Sequence, residues 1–323
     1  KEHKSTFQFC ENGAKAVTWE ATTKRVTPAF LAANTVTSLL AKSDFELEGY
    51  GRLTHPLVYD RASDTLRPVA WEAAFARIGE ILRGLQPDEV EFYTSGRASN
   101  EAAWLFQLFA REYGTNNFPD CSNMCHESTS VGLPQSIGIG KGTVSLDDFD
   151  QTELVISIGH NPGTNHPRMM GTLHELSRRG VPIIVFNPLR ERALERFADP
   201  QNVMEMATYR STPIASTYYQ VRAGGDAAAL KGIAKALLQL EEEQGQVLDH
   251  AFIAQHTQGF AAFAEDLHAT RWQDIEQESG LTRESLTQVA VAYAKSTATI
   301  VTYGMGITQH NKGTSNVRLI ADL

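Results

Sequence analysis

Residues 153–163 read Glu-Leu-Val-Ile-Ser-Ile-Gly-His-Asn-Pro-Gly, and this stretch indicates the fold class most clearly. Its apolar run up to Ile158 is short and rich in β-branched side chains, which predicts a strand buried on both faces. The glycine, asparagine and proline that follow predict a turn. A helix-forming stretch comes next, at about residues 166–179, so the local order is strand, turn and helix.

The same alternation recurs along much of the chain. Further strands are predicted at residues 90–94, 181–186, 218–222 and 299–303, and further helices at 71–85, at 101–112 and after Asp226. Apolar strands that alternate with helices imply a parallel sheet covered on both faces. We therefore expect an α/β fold of doubly wound, Rossmann-like domains with mostly parallel sheets, preceded by an irregular N-terminal segment.

Polar turns follow the predicted strands. In such sheets, ligands bind outside the carboxyl ends of the strands. A single glycine or asparagine there could simply serve a tight turn, but four such turns in register favour one polar ligand.

Composition excludes several classes of partner. The chain has 323 residues, 42% of them hydrophobic. Its formal charge of −9 argues against sequence-independent binding to the phosphate backbone of nucleic acid. No apolar run approaches the ~20 residues of a membrane helix, so we expect no membrane segment. Three cysteines fit a reducing compartment, and we expect a cytoplasmic protein. The start at Lys1 and the unfinished pattern at the other end suggest a fragment.

Two turns carry candidate binding groups. Asp226 follows Gly224 and Gly225 at a predicted helix start, where it could cap the helix or accept two hydrogen bonds from the N1 and N2 edge of a guanine. Amides within residues 159–165 could bind an anion near a helix start. The strict dinucleotide and Walker glycine patterns are absent, which disfavours an ordinary NAD or ATP site.

Cys125 and His126 stand together at a predicted loop-to-helix junction, where helix amides would favour a thiolate. A structural zinc site is disfavoured because it needs four ligands, and Cys121 and Cys10 are the other cysteines. A nucleophile pair is disfavoured because adjacent helix residues point about 100° apart. A soft-metal ligand and a buried, inert cysteine both remain open, and the residues alone favour the inert cysteine.

Cys10 precedes Glu-Asn-Gly in the irregular start of the chain. A lone cysteine usually acts as a small hydrophobic residue. Only further cysteines upstream could make Cys10 an iron–sulfur ligand.

The run Gly-Thr-Asn-Asn-Phe-Pro-Asp-Cys-Ser-Asn-Met-Cys-His-Glu-Ser-Thr-Ser-Val-Gly-Leu, residues 114–133, resembles the molybdenum-ligand segment of formate dehydrogenase alpha subunits. Those subunits belong to the molybdopterin bis-guanine-dinucleotide oxidoreductases, the dimethyl sulfoxide reductase superfamily. The resemblance continues in chain order at residues 95–101, 159–167, 187–188, 225–226 and 303–309. Within this superfamily, the sequence is similar to a cysteine-containing, formate-dehydrogenase-like branch. That branch is associated with acid resistance in bacteria and has no settled substrate.

The resemblance implies that Cys125 ligates molybdenum and that His126 is the neighbouring catalytic histidine. Asp226 becomes a guanine contact that can also cap its helix. Cys10 falls at the last cysteine of a 4Fe-4S cluster whose other ligands would precede Lys1. The implied contacts to the two pterin dinucleotides are Ser95, Gly96, Arg97, Asn100, Gly159, Asn161, Asn165, His166, Asn187, Arg190, Gly225, Asp226, Gly304, Met305, Gly306 and Gln309.

The chain also departs from the family pattern. Asn12 replaces the lysine that links cluster and pterin in the family, although Lys15 is near in sequence. The residue that would lie between cluster and pterin is therefore not assigned. Arg190 stands one place later than the usual arginine, after a turn in which Asn187 replaces an aspartate. The arginine associated with formate would fall beyond Leu323, so formate as the substrate stays open too.

The resemblance also predicts the domains. Residues 1–59 would be the remnant of an iron–sulfur domain, residues 60–120 a first α/β pterin-dinucleotide domain continued by 311–323, and residues 121–310 a second. A C-terminal domain would be missing.

The predicted function is a two-electron oxidoreductase with molybdenum bis(molybdopterin guanine dinucleotide) and a 4Fe-4S cluster. Its partners would be a small-molecule substrate and an electron-transfer protein; tungsten could replace molybdenum. One alternative is a non-catalytic iron–sulfur electron-transfer scaffold of the same fold. Another is a thiol enzyme that uses Cys125 without a metal.

Overall fold

The structure is a computed structural model that describes residues 9–94, 98–119 and 121–323. Its chain divides into two compact units. The N-terminal unit comprises Glu11–Cys121, and the main unit comprises Ser122–Leu323 together with Phe9 and Cys10. The predicted contacts Ser95, Gly96 and Arg97 lie outside the described residues.

The N-terminal unit is largely helical where it is described. The predicted helices at 71–85 and 101–112 are confirmed with slightly different ends. The second is capped by the Ser99 side chain, which accepts from the amide of Ala102, and it ends at Gly114 in the left-handed conformation. The α-helices of this unit are Glu11–Glu20, Pro28–Ala33, Val36–Leu40, Asp44–Gly49, Trp71–Arg83 and Asn100–Tyr113, and a 3-10 turn covers Pro87–Glu89. Its described strands pair two by two, Arg25–Val26 with Arg52–Leu53 and Leu57–Asp60 with Thr65–Pro68.

The strand predicted at residues 90–94 is wrong. In the described part of the chain this segment has no partner strand, and the amide of Phe92 bonds instead to the carbonyl of Asn117 at 2.9 Å. The buried ring of Phe92 lies against the rings of Phe106, Phe109 and Tyr113. The apolar pattern therefore reflects burial under a helix, which a short apolar run cannot distinguish from a strand.

A four-stranded parallel sheet forms the centre of the main unit. Its strands are β1 (Leu154–Ile158), β2 (Ile183–Phe186), β3 (Thr217–Tyr219) and β4 (Thr299–Tyr303), in the order β4-β1-β2-β3. All three pairings are parallel, and the last residues of the strands lie opposite each other. The predicted α/β fold with a parallel sheet is confirmed, and every residue of β1 is buried.

Helices cover both faces of this sheet. On one face, Ile156 packs with Ile233 of the helix Asp226–Gln244; on the other, Val155 packs with Met170 and Leu173 of the helix Pro167–Arg178. Successive β1 residues therefore serve opposite cores, as the continuous apolar run predicts. The other α-helices here are Cys121–Ile137, Pro162–Asn165, Arg192–Glu195, Val203–Thr208, His250–His256, Phe260–Ala269, Trp272–Ser279, Arg283–Lys295, Met305–Thr308 and Gly313–Asp322; Asp147–Asp150 is a 3-10 turn, and Arg196–Phe197 pairs with Thr212–Pro213.

The helix Gly313–Asp322 belongs to the main unit, where Val317 and Leu319 share a core with the helix Asp226–Gln244. Its assignment to the first predicted pterin domain, like the rest of the predicted domain division, stays a prediction. Within the described ranges, no helix combines the length and the apolar character needed to cross a membrane.

Candidate functional site

The carboxyl ends of the four strands meet at one edge of the sheet. The turns that follow them hold most of the predicted contact residues. Residues 159–166 follow β1, residues 187–191 follow β2, residues 220–226 follow β3, and residues 304–309 follow β4. The fold therefore brings four turns together that are far apart in sequence.

Two of these turns touch through glycine. The amide of Gly306 donates to the carbonyl of Gly159 at 3.0 Å, and a Cβ built on Gly306 would lie 2.7 Å from the Cα of Gly159. Gly159 also has φ +56°, a conformation that favours glycine. The close backbone contact is sufficient to explain glycine at these two positions. For Gly159 and Gly306, the interpretation as tight-turn residues therefore needs no ligand.

Cys125 precedes a break in the helix Cys121–Ile137. His126 has φ −137° and ψ 24°, which are not helical. A break leaves the preceding carbonyls without helical partners. The Thr308 hydroxyl donates to the Cys125 carbonyl at 2.5 Å, and the Gln309 amide group donates to the Met124 carbonyl at 2.8 Å. The turn after β4 thus supports the broken helix.

The break corrects two expectations about Cys125. The chain is already helical from Cys121, and a second helical stretch follows the break at His126, so Cys125 lies at a junction between two helical stretches and not at a loop-to-helix junction. The angle of about 100° between successive helix residues does not apply across a break. The Cys125 side chain is half-buried, unlike a fully buried inert cysteine, and the His126 side chain is exposed.

Two hydroxyl groups lie beside the imidazole of His126. The Thr129 hydroxyl is 3.5 Å from His126 Nδ1 and 3.0 Å from the Tyr303 hydroxyl. The rings of His126 and Tyr303 meet edge to face, with centroids 6.4 Å apart. Burial raises the pKa of Tyr303. Sequence reasoning missed Thr129 and Tyr303, because neither stands out without its neighbours in space.

His160 follows β1 directly and is buried, with 6% of its surface exposed. Its Nε2 lies 2.9 Å from Nδ1 of His166, and its carbonyl accepts from the side chain of Asn187 at 2.8 Å. Its Nδ1 is buried without a hydrogen-bond partner among the described residues. Burial, together with the charge of His166, lowers the pKa of His160 to about 4. His160 was missed, although a polar residue at a strand end was a usable signal.

The turns after β1 and β2 are tied together by side chains. Asn161 donates to the Glu191 carboxylate at 2.7 Å and accepts from the amide of Thr164. The Tyr218 hydroxyl accepts from the Glu191 amide at 2.9 Å and donates to the Leu189 carbonyl at 2.7 Å. Glu191 and Tyr218 were also missed from the sequence.

Other predicted contacts in these turns are partly engaged within the protein. Arg190 bonds to Glu195 at 2.6 Å and lies over the ring of Tyr218. Asn165 donates to the carbonyl of Asn161 at 3.2 Å. The side chain of Met305 is exposed.

Asp226 begins its helix as a buried carboxylate, 4% exposed. Gly225 at the N-cap position offers no side-chain cap bond, and the Asp226 carboxylate interacts with the backbone amide of Asp226 itself at the helix start, so the capping interpretation stays open. One Asp226 oxygen lies 3.9 Å from Nε2 of His310, which in turn lies 2.7 Å from the Asn316 side chain. Burial raises the pKa of Asp226, while His310 opposes that shift. Asp226 also lines a small cleft with Ile158, Phe186, Ala229, Leu230 and Ile233.

Two further predicted residues are not part of these four turns. Asn100 is the first residue of the helix Asn100–Tyr113 in the N-terminal unit. Cys10 is exposed. Within the described part of the chain, no three side chains of His, Cys, Asp or Glu come close enough together to hold a metal ion.

Comparison with known proteins gives a consistent match. The family model described as molybdopterin oxidoreductase matches residues 52–323. Protein YdeP of Escherichia coli K12 is 55% identical over 100% of this chain, which covers 43% of that protein. An uncharacterized oxidoreductase of Mycobacterium tuberculosis is 45% identical over 94% of the chain, which covers 39% of it.

Formate dehydrogenase H of Escherichia coli is 27% identical over 84% of the chain, which covers 36% of that enzyme. The chain therefore spans less than half the length of these relatives. Among solved structures, acetylene hydratase from Pelobacter acetylenicus superimposes with a TM-score of 0.59 over 90% of this chain and 37% of its own. At 19% identity, this likeness concerns the fold alone.

Proposed function

Because the chain belongs to the molybdopterin oxidoreductase family, we propose that it is the cofactor-binding part of a molybdenum-dependent, two-electron oxidoreductase. One observation carries the proposal: a half-buried cysteine lies beside an exposed histidine at a helix break, and the turn after β4 holds that break. A thiolate is a suitable ligand for a soft metal.

The residues at the sheet edge fit a pterin guanine dinucleotide. Asp226 is a buried carboxylate that lies 3.9 Å from Nε2 of His310, and His160 Nδ1 is buried without a partner among the described residues. Buried polar groups cost free energy unless something satisfies them. A guanine edge and a polar cofactor group would supply such partners. The polar groups at this sheet edge are therefore compatible with the pterin guanine dinucleotide that the family implies.

Each part of the site has a proposed role. Cys125 would hold the metal, and Asp226 would accept hydrogen bonds from a guanine. The bound group would supply the centre that accepts or delivers two electrons. Two dinucleotides would be held by Ser95, Gly96, Arg97, Asn100, Gly159, Asn161, Asn165, His166, Asn187, Arg190, Gly225, Gly304, Met305, Gly306 and Gln309.

His126 would move a proton at a ring nitrogen. Imidazole is the side chain best suited to proton exchange near neutral pH. The exposed ring of His126 leaves it accessible to a small substrate beside Cys125. Formate is one candidate substrate, since relatives of this chain include formate dehydrogenases.

The remaining parts of the proposal rest on the resemblance of the sequence. A 4Fe-4S cluster with Cys10 as one ligand would pass electrons singly to an electron-transfer protein. The cytoplasm is the proposed compartment, and acid resistance is the proposed physiological setting.

Elemental analysis of the full-length protein tests the proposed function. We expect molybdenum or tungsten in the wild type, and we expect Cys125→Ala to abolish turnover while Cys121→Ala, a matched cysteine control, retains it. A fully active, metal-replete Cys125→Ala protein would refute the proposal. A wild type with iron but no molybdenum or tungsten would favour the electron-transfer scaffold, and metal-free turnover blocked by alkylation of Cys125 would favour the thiol enzyme.

A further inference from the structure

A line of three side chains ends at the imidazole beside Cys125. Tyr303 is the last residue of β4, and its hydroxyl lies 3.0 Å from that of Thr129. The Thr129 hydroxyl lies 3.5 Å from Nδ1 of His126. This second distance is at the outer limit of a hydrogen bond, and such bonds near reacting groups shorten when a substrate closes the site.

The segment that carries Thr129 is fixed from two sides. The Ser128 hydroxyl donates to the Thr308 carbonyl at 2.9 Å, and the Thr308 hydroxyl donates to the Cys125 carbonyl at 2.5 Å. These bonds join the helix on both sides of its break to the turn after β4. Thr129 and Tyr303 are therefore held on two elements that are themselves bonded together.

Acid strength sets the direction of the hydrogen bonds along this line. A phenol with a pKa near 10 is a much stronger donor than an alkyl alcohol, and an unprotonated imidazole nitrogen is a good acceptor. The favoured order is therefore that Tyr303 donates to Thr129 and that Thr129, with its single hydroxyl hydrogen, donates to Nδ1 of His126. A neutral imidazole that accepts at Nδ1 carries its proton on Nε2.

We infer that Thr129 and Tyr303 are positioning residues that fix the Nε2–H tautomer of His126. In its neutral form, His126 then presents an N–H to a ligand beside Cys125. This deepens the proposed function, on which it rests for the ligand. It assigns His126 the role of hydrogen-bond donor, which suits an oxygen atom of a small anion.

Nitrogen-15 spectroscopy of the full-length, metal-loaded protein labelled only at histidine tests this inference. His126→Gln assigns the two ring signals, which are recorded at alkaline pH. The wild type should show a protonated Nε2 and an unprotonated Nδ1. Thr129→Val removes the hydroxyl that lies beside Nδ1 and should move the ratio of the two tautomers about fivefold toward Nδ1–H, the equivalent of one hydrogen bond. Tyr303→Phe leaves that hydroxyl in place and should move the ratio in the same direction by a smaller factor.

Two controls separate positioning from a structural defect. Thr129→Ser keeps the hydroxyl and should keep the wild-type tautomer. Tyr219→Phe removes the hydroxyl from the last residue of the strand β3 and should also leave His126 unchanged. Metal content should stay at the wild-type level in every variant, because Cys125 is intact.

A wild-type His126 with its proton on Nδ1 would overturn the inference, as would a tautomer ratio unchanged in both Tyr303→Phe and Thr129→Val. A wild-type protein without molybdenum or tungsten would instead refute the proposed function, and the tautomer can be measured in that protein as well. The two failures are therefore distinguishable.

Discussion

The hydroxyl of Thr308 donates a hydrogen bond of 2.5 Å to the carbonyl of Cys125, across 183 residues of sequence. Thr308 is buried, and the Cys125 carbonyl lies directly before the break at His126. The bond therefore gives a side-chain donor to a backbone carbonyl at the point where the helix breaks. It also couples the position of Cys125 to the turn after β4.

Thr308→Val should destabilise the protein by about 1–3 kcal/mol, because it leaves that carbonyl without its donor while it conserves side-chain volume. Urea unfolding of the full-length protein measures the effect. The matched control is Thr302→Val in β4, since the Thr302 hydroxyl is buried without a partner among the described residues. That variant should be neutral or slightly more stable, and equal destabilisation by both variants would contradict the role given to Thr308.

Gly306→Ala should destabilise the fold, because the added Cβ would lie 2.7 Å from the backbone of Gly159. Separation of the two turns would cost about 1–3 kcal/mol, the usual cost of overpacking. Gly171→Ala provides the contrast, since a Cβ on Gly171 meets nothing within 4 Å inside the helix Pro167–Arg178. It should stabilise by about 0.5–1 kcal/mol. Thermal unfolding of both variants measures these effects. A Gly306→Ala protein as stable as the wild type would contradict the close contact between Gly306 and Gly159.

Tyr218→Phe should loosen the turn after β2, because the phenol bonds to the Glu191 amide and to the Leu189 carbonyl. The expected loss is about 1–2 kcal/mol in the free energy of unfolding. Hydrogen exchange at the Glu191 amide should also become faster. Tyr219→Phe is the control, since its hydroxyl makes a longer contact of 3.4 Å to Gln288. An unchanged exchange rate at the Glu191 amide would contradict the hydrogen bond between this amide and the Tyr218 hydroxyl.

His160 should make stability depend on pH. Its pKa is lowered to about 4 in the folded protein, mainly by burial and further by His166. As the pH falls from about 6.5 toward 4, the unfolded chain takes up a proton that folded His160 does not, so stability is lost in that window. With allowance for solvent screening, the loss is about 2 kcal/mol.

The comparison variant is His160→Asn, which should lose this part of the pH dependence. Urea midpoints at about pH 7 and about pH 4.5 measure it, with the exposed His256→Asn as a control. The same pH dependence in His160→Asn and in the wild type would show that His160 is not the group responsible.

The central strands β1 and β2 could be predicted because all of their residues are buried and the apolar run that this requires is visible in the local sequence. Each of the five residues of β1 is buried, and a run that is apolar on both faces needs no knowledge of the rest of the chain. Phe92 shows the limit of this logic. It is equally apolar, but its neighbours are aromatic rings from a helix, and the strand predicted around it does not form.

The details around Cys125 could not be predicted from local sequence. The break at His126 depends on donors supplied by Thr308 and Gln309, which are more than 180 residues away. The glycines of the turns at the strand ends were predicted from the sequence. The hydrogen bond between the Tyr218 hydroxyl and the Glu191 amide was not. A tyrosine at the centre of a strand gives no sign of the turn to which its hydroxyl will bond.

X-ray absorption at the molybdenum edge, recorded on the full-length protein and on Cys125→Ser, tests most directly whether Cys125 ligates the metal. We predict that the wild type contains molybdenum with a sulfur ligand from the protein, and that Cys125→Ser loses one sulfur neighbour and gains an oxygen neighbour. Identical sulfur coordination in the two proteins would contradict the assignment of Cys125 as the ligand.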